Sequence, residues 1–503
     1  MAGIGFELKK LFSRRGIAAT VRAYGYASLV CAGPMILGFC LLIGSMLLAN
    51  FAGASRHEQD LLVALLTHAL LFSMVIHSLL SLLTTRYCAD MIYQKQYNKL
   101  IPSLYGSLAI LLVVGGLGYG IFLCFCGVDL IYRVLSFVLF MVLVVVWTEM
   151  SYLTMLKDYK SIAVVFAVAL VISLALSVVF IWVLRIWMII ALLISITLAY
   201  GVMMVWYFLL LYRYLPDGFG TSMRFLSWID SMPELVFTGF FMNTGLFAHL
   251  VIMWWCSPLQ VQVEGLFYGA PNYDVPAIVA FFSILITTVG FVTSVETRLY
   301  PKYKEYFSLF NDGGSIDNLN EAEENMLRVL HEELGYLALK QIFTTLIFIT
   351  LGNVVLPLLP LGMTPELLRI YRTLCVGYAF YAIGNSIMLA SQYFADLRGP
   401  LVSSALFAVI ASVASVTQAC CFDVFYGFGF LIGAAVFCFC SWLRLCAYLR
   451  KLKYNVLSKQ PIMAVKRVDF FGGLADSFEK RAQRIQKQRV LYNTKKKGEA
   501  QHE

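Results

Sequence analysis

Apolar runs of about twenty residues or more recur at 25–50, 61–84, 104–126, 134–156, 161–183, 186–212, 235–256, 275–295, 337–359, 370–394, 401–421 and 426–447. Each holds the ~20 residues that an α-helix needs to cross the hydrocarbon of a bilayer. A chain in lipid must satisfy its own backbone hydrogen bonds, so runs of this length fold as helices. Only 13% of the 503 residues are charged and 60% are hydrophobic, whereas a soluble domain carries roughly a quarter charged residues. The fold expected is therefore an all-α polytopic membrane protein with about 12 transmembrane helices. The first run follows Lys9, Lys10, Arg14 and Arg15. It is far longer than the roughly 7–15 residues of a signal-peptide core, so it is read as a retained span.

Basic residues orient the spans, because Lys and Arg concentrate in cytoplasmic segments. With the N-terminus inside, only Arg56, Arg133, Arg185, Arg369 and Arg372 of the 38 Lys and Arg fall in outer turns. Both termini are expected in the cytoplasm. The net charge of +9 follows this sorting and does not point to nucleic acid.

The chain divides into an interfacial segment at 1–24, six spans at 25–212, a cytoplasmic linker at 213–234, six spans at 235–449 and a basic tail at 450–503. The second half carries a cytoplasmic loop at 298–336, in which Asp317 is positioned to cap a helix bearing Leu319, Ala322, Met326, Leu330 and Leu334, expected either to lie against the cytoplasmic face or to run into the ninth span. The second and eighth spans end alike, in Thr85-Arg86-Tyr87 and in Glu296-Thr297-Arg298. Equivalent exits half a chain apart suggest two related six-helix halves, as in transporters built from repeats. In the tail, 474–492 places Leu474, Phe478, Ile485 and Tyr492 among basic residues, a pattern that suits a helix on anionic lipid or on a partner, or equally a solvated basic end.

Polar groups inside spans are the candidates for function, since each charge at a span centre costs on the order of 2–3 kcal/mol unless it faces protein or water. Glu149 is the deepest, about 12 Å from the inner interface by its distance to Lys157. Trp147, Thr148, Ser151, Tyr152 and Thr154 surround it, and the carboxylate is expected to face an internal cavity in a pathway or coupling role, the alternative being a structural pair with a neighbouring helix. Arg86, Asp90, Glu296 and Arg298 lie near the inner ends of their spans, where interfacial anchoring and local ion pairing compete with a transport role. Tyr273 and Asp274 form a polar turn at the outer end of the eighth span. His68, His77 and His249 are isolated, and each reads as a hydrogen bonder between packed helices. Almost all of the twelve cysteines lie inside apolar runs at spacings that do not make a zinc site. P-loop, HExxH, GxSxG and D-x-D motifs are absent, so neither enzymatic activity nor a metal or other cofactor is expected.

Six segments in order carry a family resemblance: MAGIGFEL at 1–8, RAYGY at 22–26, YDVP at 273–276, VET at 295–297 with KYKEYF after it, YFADLR at 393–398 and YGFGF at 426–430. Together they resemble the PelG family of inner-membrane transporters of the Pel exopolysaccharide system, over residues 1 to about 460. That family belongs to the multidrug/oligosaccharidyl-lipid/polysaccharide flippase superfamily. The resemblance implies two six-helix bundles around a central cavity in the bacterial cytoplasmic membrane. It also implies a galactosamine-rich, partly cationic polymer as substrate. The partners it implies are a cytosolic PelF-like glycosyltransferase, a PelD-like cyclic-di-GMP receptor and a PelE-like membrane protein. Two alternatives stay open: a lipid-linked or small-molecule substrate, and a non-conducting scaffold that recruits a cytosolic synthase.

Overall fold

The computed structural model describes residues 38, 40–156, 158–216, 218, 223–311, 314–358, 363–422, 425–457, 470–481 and 484. The segment at 1–24, the beginning of the first apolar run and the tail beyond 484 lie outside the described residues.

Among the described residues, eleven helices are long and apolar enough to cross a membrane. The chain is a multi-pass membrane protein. A shorter apolar helix, α1 (Cys40–Phe51), precedes the eleven. They are α2 (Arg56–Tyr93), α3 (Leu100–Phe125), α4 (Leu130–Met155), α5 (Tyr159–Val178), α6 (Met188–Tyr214), α7 (Pro233–Cys256), α8 (Pro271–Leu309), α9 (Ile316–Val355), α10 (Pro365–Tyr393), α11 (Arg398–Cys421) and α12 (Phe428–Leu449).

Local signals mark several helix ends. Ser55 and Glu58 close a capping box at the start of α2, which satisfies two of the amide groups that a helix start leaves free. Thr364 caps α10, whose first residue is Pro365. Between α5 and α6 the chain passes through a π-helical turn at Val179–Val183 and then through Arg185 in the left-handed region at φ 53°. That single residue reverses the chain between two spans.

The helix contacts repeat at an offset of six. α4 packs on α2, α3 and α6, and α6 packs on α5; likewise α10 packs on α8, α9 and α12, and α12 packs on α11. α7 lies along α11, and Gly44 of α1 lies against Leu174 of α5. The two sets meet where α2 crosses α7. This crossing is close because of Gly239, where a Cβ would stand 2.4 Å from the carbonyl oxygen of Ser78. Small residues at such contacts let helix backbones approach where lipid supplies no hydrophobic drive.

Two regions differ from the sequence reading. In the segment 298–336, α8 continues through a π turn at Val295–Leu299 and a helical stretch at Tyr300–Asn311 where a loop was expected, whereas α9 runs from Ile316 into the membrane-length segment, one of the two courses expected for the helix after Asp317. Ala322, Met326 and Leu330 are buried as their spacing implied, in a cluster with Leu299, Tyr306, Phe394 and Tyr448. The cap of α9 is Ser315, which accepts from Asn318 N at 3.2 Å, and Asp317 sits in the first turn. The second difference is the connection between α7 and α8, which holds an antiparallel hairpin of β1 (Val261–Glu264) and β2 (Phe267–Gly269).

The α2–α7 crossing leads to a prediction. Gly239→Val forces a side chain onto the α2 backbone, and overpacking of this kind costs about 1–3 kcal/mol. The variant should unfold at lower temperature in detergent, as followed by loss of the monodisperse peak on heating. Gly118→Val, at a position with nothing within 4 Å, should leave that temperature unchanged.

Candidate functional site

The polar residues singled out by sequence fall at three places: the hairpin end of the bundle, the linker end, and the interior of the first six helices. They do not converge on one pocket.

At the hairpin end, Asp274 lies in the first turn of α8 and accepts from Trp254 Nε1 of α7 at 3.0 and 2.9 Å and from Ala270 N at 3.2 Å. Its neighbour Tyr273 is fully buried, with its hydroxyl 2.8 Å from His249 Nδ1 of α7. His249 also approaches Tyr378 of α10 at 3.5 Å and lies 4.4 Å from the ring of Phe430 of α12. Tyr273 and Asp274 are thus helical residues that tie α8 to α7, where the sequence suggested a turn. Trp254 reaches the other half as well: it stacks on His68 of α2 with ring centroids 4.5 Å apart.

The hairpin closes the same end. It is joined to the second set of helices, yet it packs on the first. Phe267 is fully buried, with its ring 5.0 Å from His68 and 5.5 Å from Phe122 of α3. Leu266 N donates to Cys126 O at 2.7 Å. Gly265 occupies the turn at φ 57°, and a Cβ there would collide with the same carbonyl at 1.8 Å. The sequence did contain this signal. Val261-Gln262-Val263-Glu264 alternates apolar and polar residues ahead of a glycine turn, which is a hairpin pattern.

At the linker end, Arg86 pairs with Asp90 at 3.3 Å one helical turn away. Asp90 also accepts from Trp228 Nε1 of the linker at 2.9 Å, and Trp228 packs edge-on against Tyr87. Arg298 pairs with Glu333 of α9 at 2.5 Å, and Ser294 donates to the second oxygen of that carboxylate at 2.5 Å. These contacts brace α8 against α9. Glu296 lies in the π turn between Ser294 and Arg298, and its side chain is outside the described residues. Sequence reasoning quoted the YFADLR motif without singling out its carboxylate. Asp396 is 2% exposed and receives Arg444 of α12 through Nε at 2.7 Å and Nη2 at 3.0 Å, so it clamps the α10–α11 turn to α12. Such a fork-to-carboxylate pair is the strong form of ion pair.

Glu149 stands apart. It is 1% exposed and packed inside the first six helices, so in this conformation it does not face an open cavity. Its Oε2 has no hydrogen-bond partner among the described residues. On adjacent positions of α4, Trp147 Nε1 donates to Ser73 at 3.0 Å, and His77 Nε2 lies 3.0 Å from Ser151 Oγ. The α2–α4 seam therefore satisfies polar groups around Glu149 while Oε2 is left without a hydrogen bond among the described residues. An apolar groove along α6, lined by Leu198, Val202, Val205, Trp206 and Leu209 with Arg213 at its end, lies on an exposed face and includes none of these groups.

The hairpin closure is testable with a native thiol. Cys126 is fully buried beneath it. Phe267→Ala removes a ring whose burial is worth about 3–5 kcal/mol. Modification of Cys126 by a membrane-impermeant maleimide, read by mass spectrometry, should be negligible in the wild type and rise several-fold in the variant.

The family model described as "PelG: Putative exopolysaccharide Exporter (EPS-E)" matches residues 1–457. No curated protein matches the chain. Several solved structures share its fold. A MATE in the bent conformation is 13% identical, with a TM-score of 0.61 over 86% of this chain and 96% of its own. An outward-facing multidrug resistance MATE family transporter of the MOP superfamily is 13% identical, with a TM-score of 0.54 over 90% and 99%. A MOP superfamily transporter from Pyrococcus furiosus is 11% identical, with a TM-score of 0.52 over 86% and 96%. At these identities the likeness is one of fold. The chain has a MATE-like fold, and it belongs to the PelG family.

Proposed function

We propose that this protein exports a Pel-like, galactosamine-rich exopolysaccharide across the bacterial cytoplasmic membrane, along a path between two six-helix halves. The observation that carries this reading is the match of one exporter family along residues 1–457. The repeat of helix contacts at an offset of six supports the two-half division at 25–212 and 235–449. Both termini and the linker are on the cytoplasmic face in this proposal, in keeping with the distribution of Lys and Arg, and the hairpin end faces outward. The conformation described is then closed on the outside by the hairpin and the His68–Trp254 stack.

Glu149 is the residue proposed to couple or guide transport. A buried polar atom without a hydrogen bond costs about 1–3 kcal/mol, and Glu149 Oε2 is such an atom. A group kept in that state acts when the helices around it part and admit a cationic amino sugar or a coupling proton. Arg86, Asp90, Arg298 and Tyr273 act in this scheme by bracing the helices of each half at its two ends.

A second reading, a membrane platform for a cytosolic synthase, is favoured by the length of α9. Its 40 residues extend ~60 Å, about twice the hydrocarbon thickness. The projecting part of the α8–α9 hairpin would receive a PelF-like glycosyltransferase, with PelD-like and PelE-like partners nearby.

Inverted membrane vesicles containing the protein and its synthase partners test both. Labelled sugar nucleotide is supplied, and the new polymer is challenged with added glycosidase. With wild type the polymer should be protected. With Glu149→Gln it should be made but protected at least about tenfold less, the effect of losing ~1.4 kcal/mol or more. Polymer that is digested equally with wild type and variant, in sealed vesicles, would favour the platform.

A further inference from the structure

The helix at 470–481 is fixed to the linker along one face. Asp230 accepts from the amides of Phe471 at 3.2 Å and Gly472 at 2.7 Å, so a linker carboxylate caps the helix start. Ala475 is buried, Phe471 packs against the core of the first six helices, and Arg224 lies 3.9 Å from Glu479. The residues on this docked face are three or four apart, as one side of a helix requires.

A different face is left uncovered. Phe470, Leu474 and Phe478 recur every four residues and are 76%, 39% and 42% exposed. Arg481 continues the same stripe, and Lys480 and Arg484 flank it, all exposed. Three large apolar side chains bordered by three cations do not suit open water. They suit an interface where rings and leucine enter the acyl boundary and cations meet phosphate. The position of the helix agrees with this. It is docked on the segment between the end of α6 at Tyr214 and the start of α7 at Pro233, beside Trp228 at the end of α2. That is the level at which α6 ends and α7 begins. The sequence beyond adds Lys487, Arg489, Lys495, Lys496 and Lys497, of the sign that an anionic leaflet attracts.

We propose that the stripe of Phe470, Leu474 and Phe478, with Lys480, Arg481 and Arg484, is a docking surface for anionic phospholipid. The helix lies in the interface plane with one face on the linker and the other in the headgroup layer. This surface is independent of what the protein transports.

The test uses the full-length protein in nanodiscs of phosphatidylcholine alone and of phosphatidylcholine mixed with phosphatidylglycerol. Hydrogen–deuterium exchange is read over the peptide spanning 470–484. Nanodiscs present both leaflets, so the result does not depend on orientation, and no export is measured. Exchange should be about tenfold slower in the anionic discs, a modest share of the attraction expected for three cations at a charged surface. The triple variant K480Q/R481Q/R484Q should lose that difference. Replacing Phe470, Leu474 and Phe478 by Ser should abolish the slowing as well, with the monodisperse peak unchanged because all three are exposed. Equal exchange of the wild type in the two discs overturns the proposal. So does a difference that either triple variant retains, which would leave a protein partner as the occupant of this face.

Discussion

The architecture depends on the crossing of α2 and α7. It is the main described contact between the first six helices and the last six, and it is a backbone contact, because Gly239 presents no side chain to Ser78 O. In a bilayer, helices gain little by hiding apolar surface from tails that are equally apolar, so close backbone approach and interhelical hydrogen bonds must supply the adhesion. Around this crossing each half is organised in the same way, with α4 and α10 at the centres of their sets. The joint leaves the two ends of the bundle to be closed separately.

The two ends are held by different chemistry. At the hairpin end the closure is aromatic: His68, Trp254, Phe267 and Phe122 interlock across the halves, and Asp274 serves to hold the Trp254 indole. At the linker end the described ion pairs Arg86–Asp90, Arg298–Glu333 and Asp396–Arg444 each lie within one half, so they brace helices there and do not bridge the halves. Rings that stack without buried charge can separate without stranding an ion, whereas removing one partner of a buried pair leaves a charge uncompensated. The pair most shielded from solvent, at Asp396, braces neighbours within one half. Arg86 and Arg298, at half or more exposure, sit where water already competes. The ions therefore harden each half, and the aromatic layer and the linker join one half to the other.

Much of this was legible in the sequence. Long apolar runs specify helices directly, and nine of the twelve expected spans correspond to membrane-length helices with small shifts at their ends. The three others are the run at 25–50, of which only the last part is described, and the runs at 275–295 and 337–359, which are portions of the longer α8 and α9. The spacing of Ala322, Met326 and Leu330 marked the buried face of α9 before any contact was known. The family was legible in short segments such as YDVP and YFADLR, which lie at the start of α8 and at the α10–α11 turn. The site was less legible. Glu149 stood out as a carboxylate in an apolar run, but composition could not tell whether it faced a cavity or packed protein. The hairpin was overlooked because four alternating residues weigh little beside spans of twenty.

The sequence by itself determined the class of the protein. A chain with so little charge and so many uninterrupted apolar runs has no way to satisfy its backbone except as membrane helices, and that argument needs no neighbours. Tertiary structure alone decided which polar groups meet. His249 finds Tyr273 and Tyr378, Asp90 finds Trp228, and Asp230 finds the helix at 470–481 across more than two hundred residues. The physical reason is one of range. Helix formation in lipid is set by hydrogen bonds four residues apart, whereas pairing between helices depends on the rotation and crossing of whole spans, which local sequence does not encode.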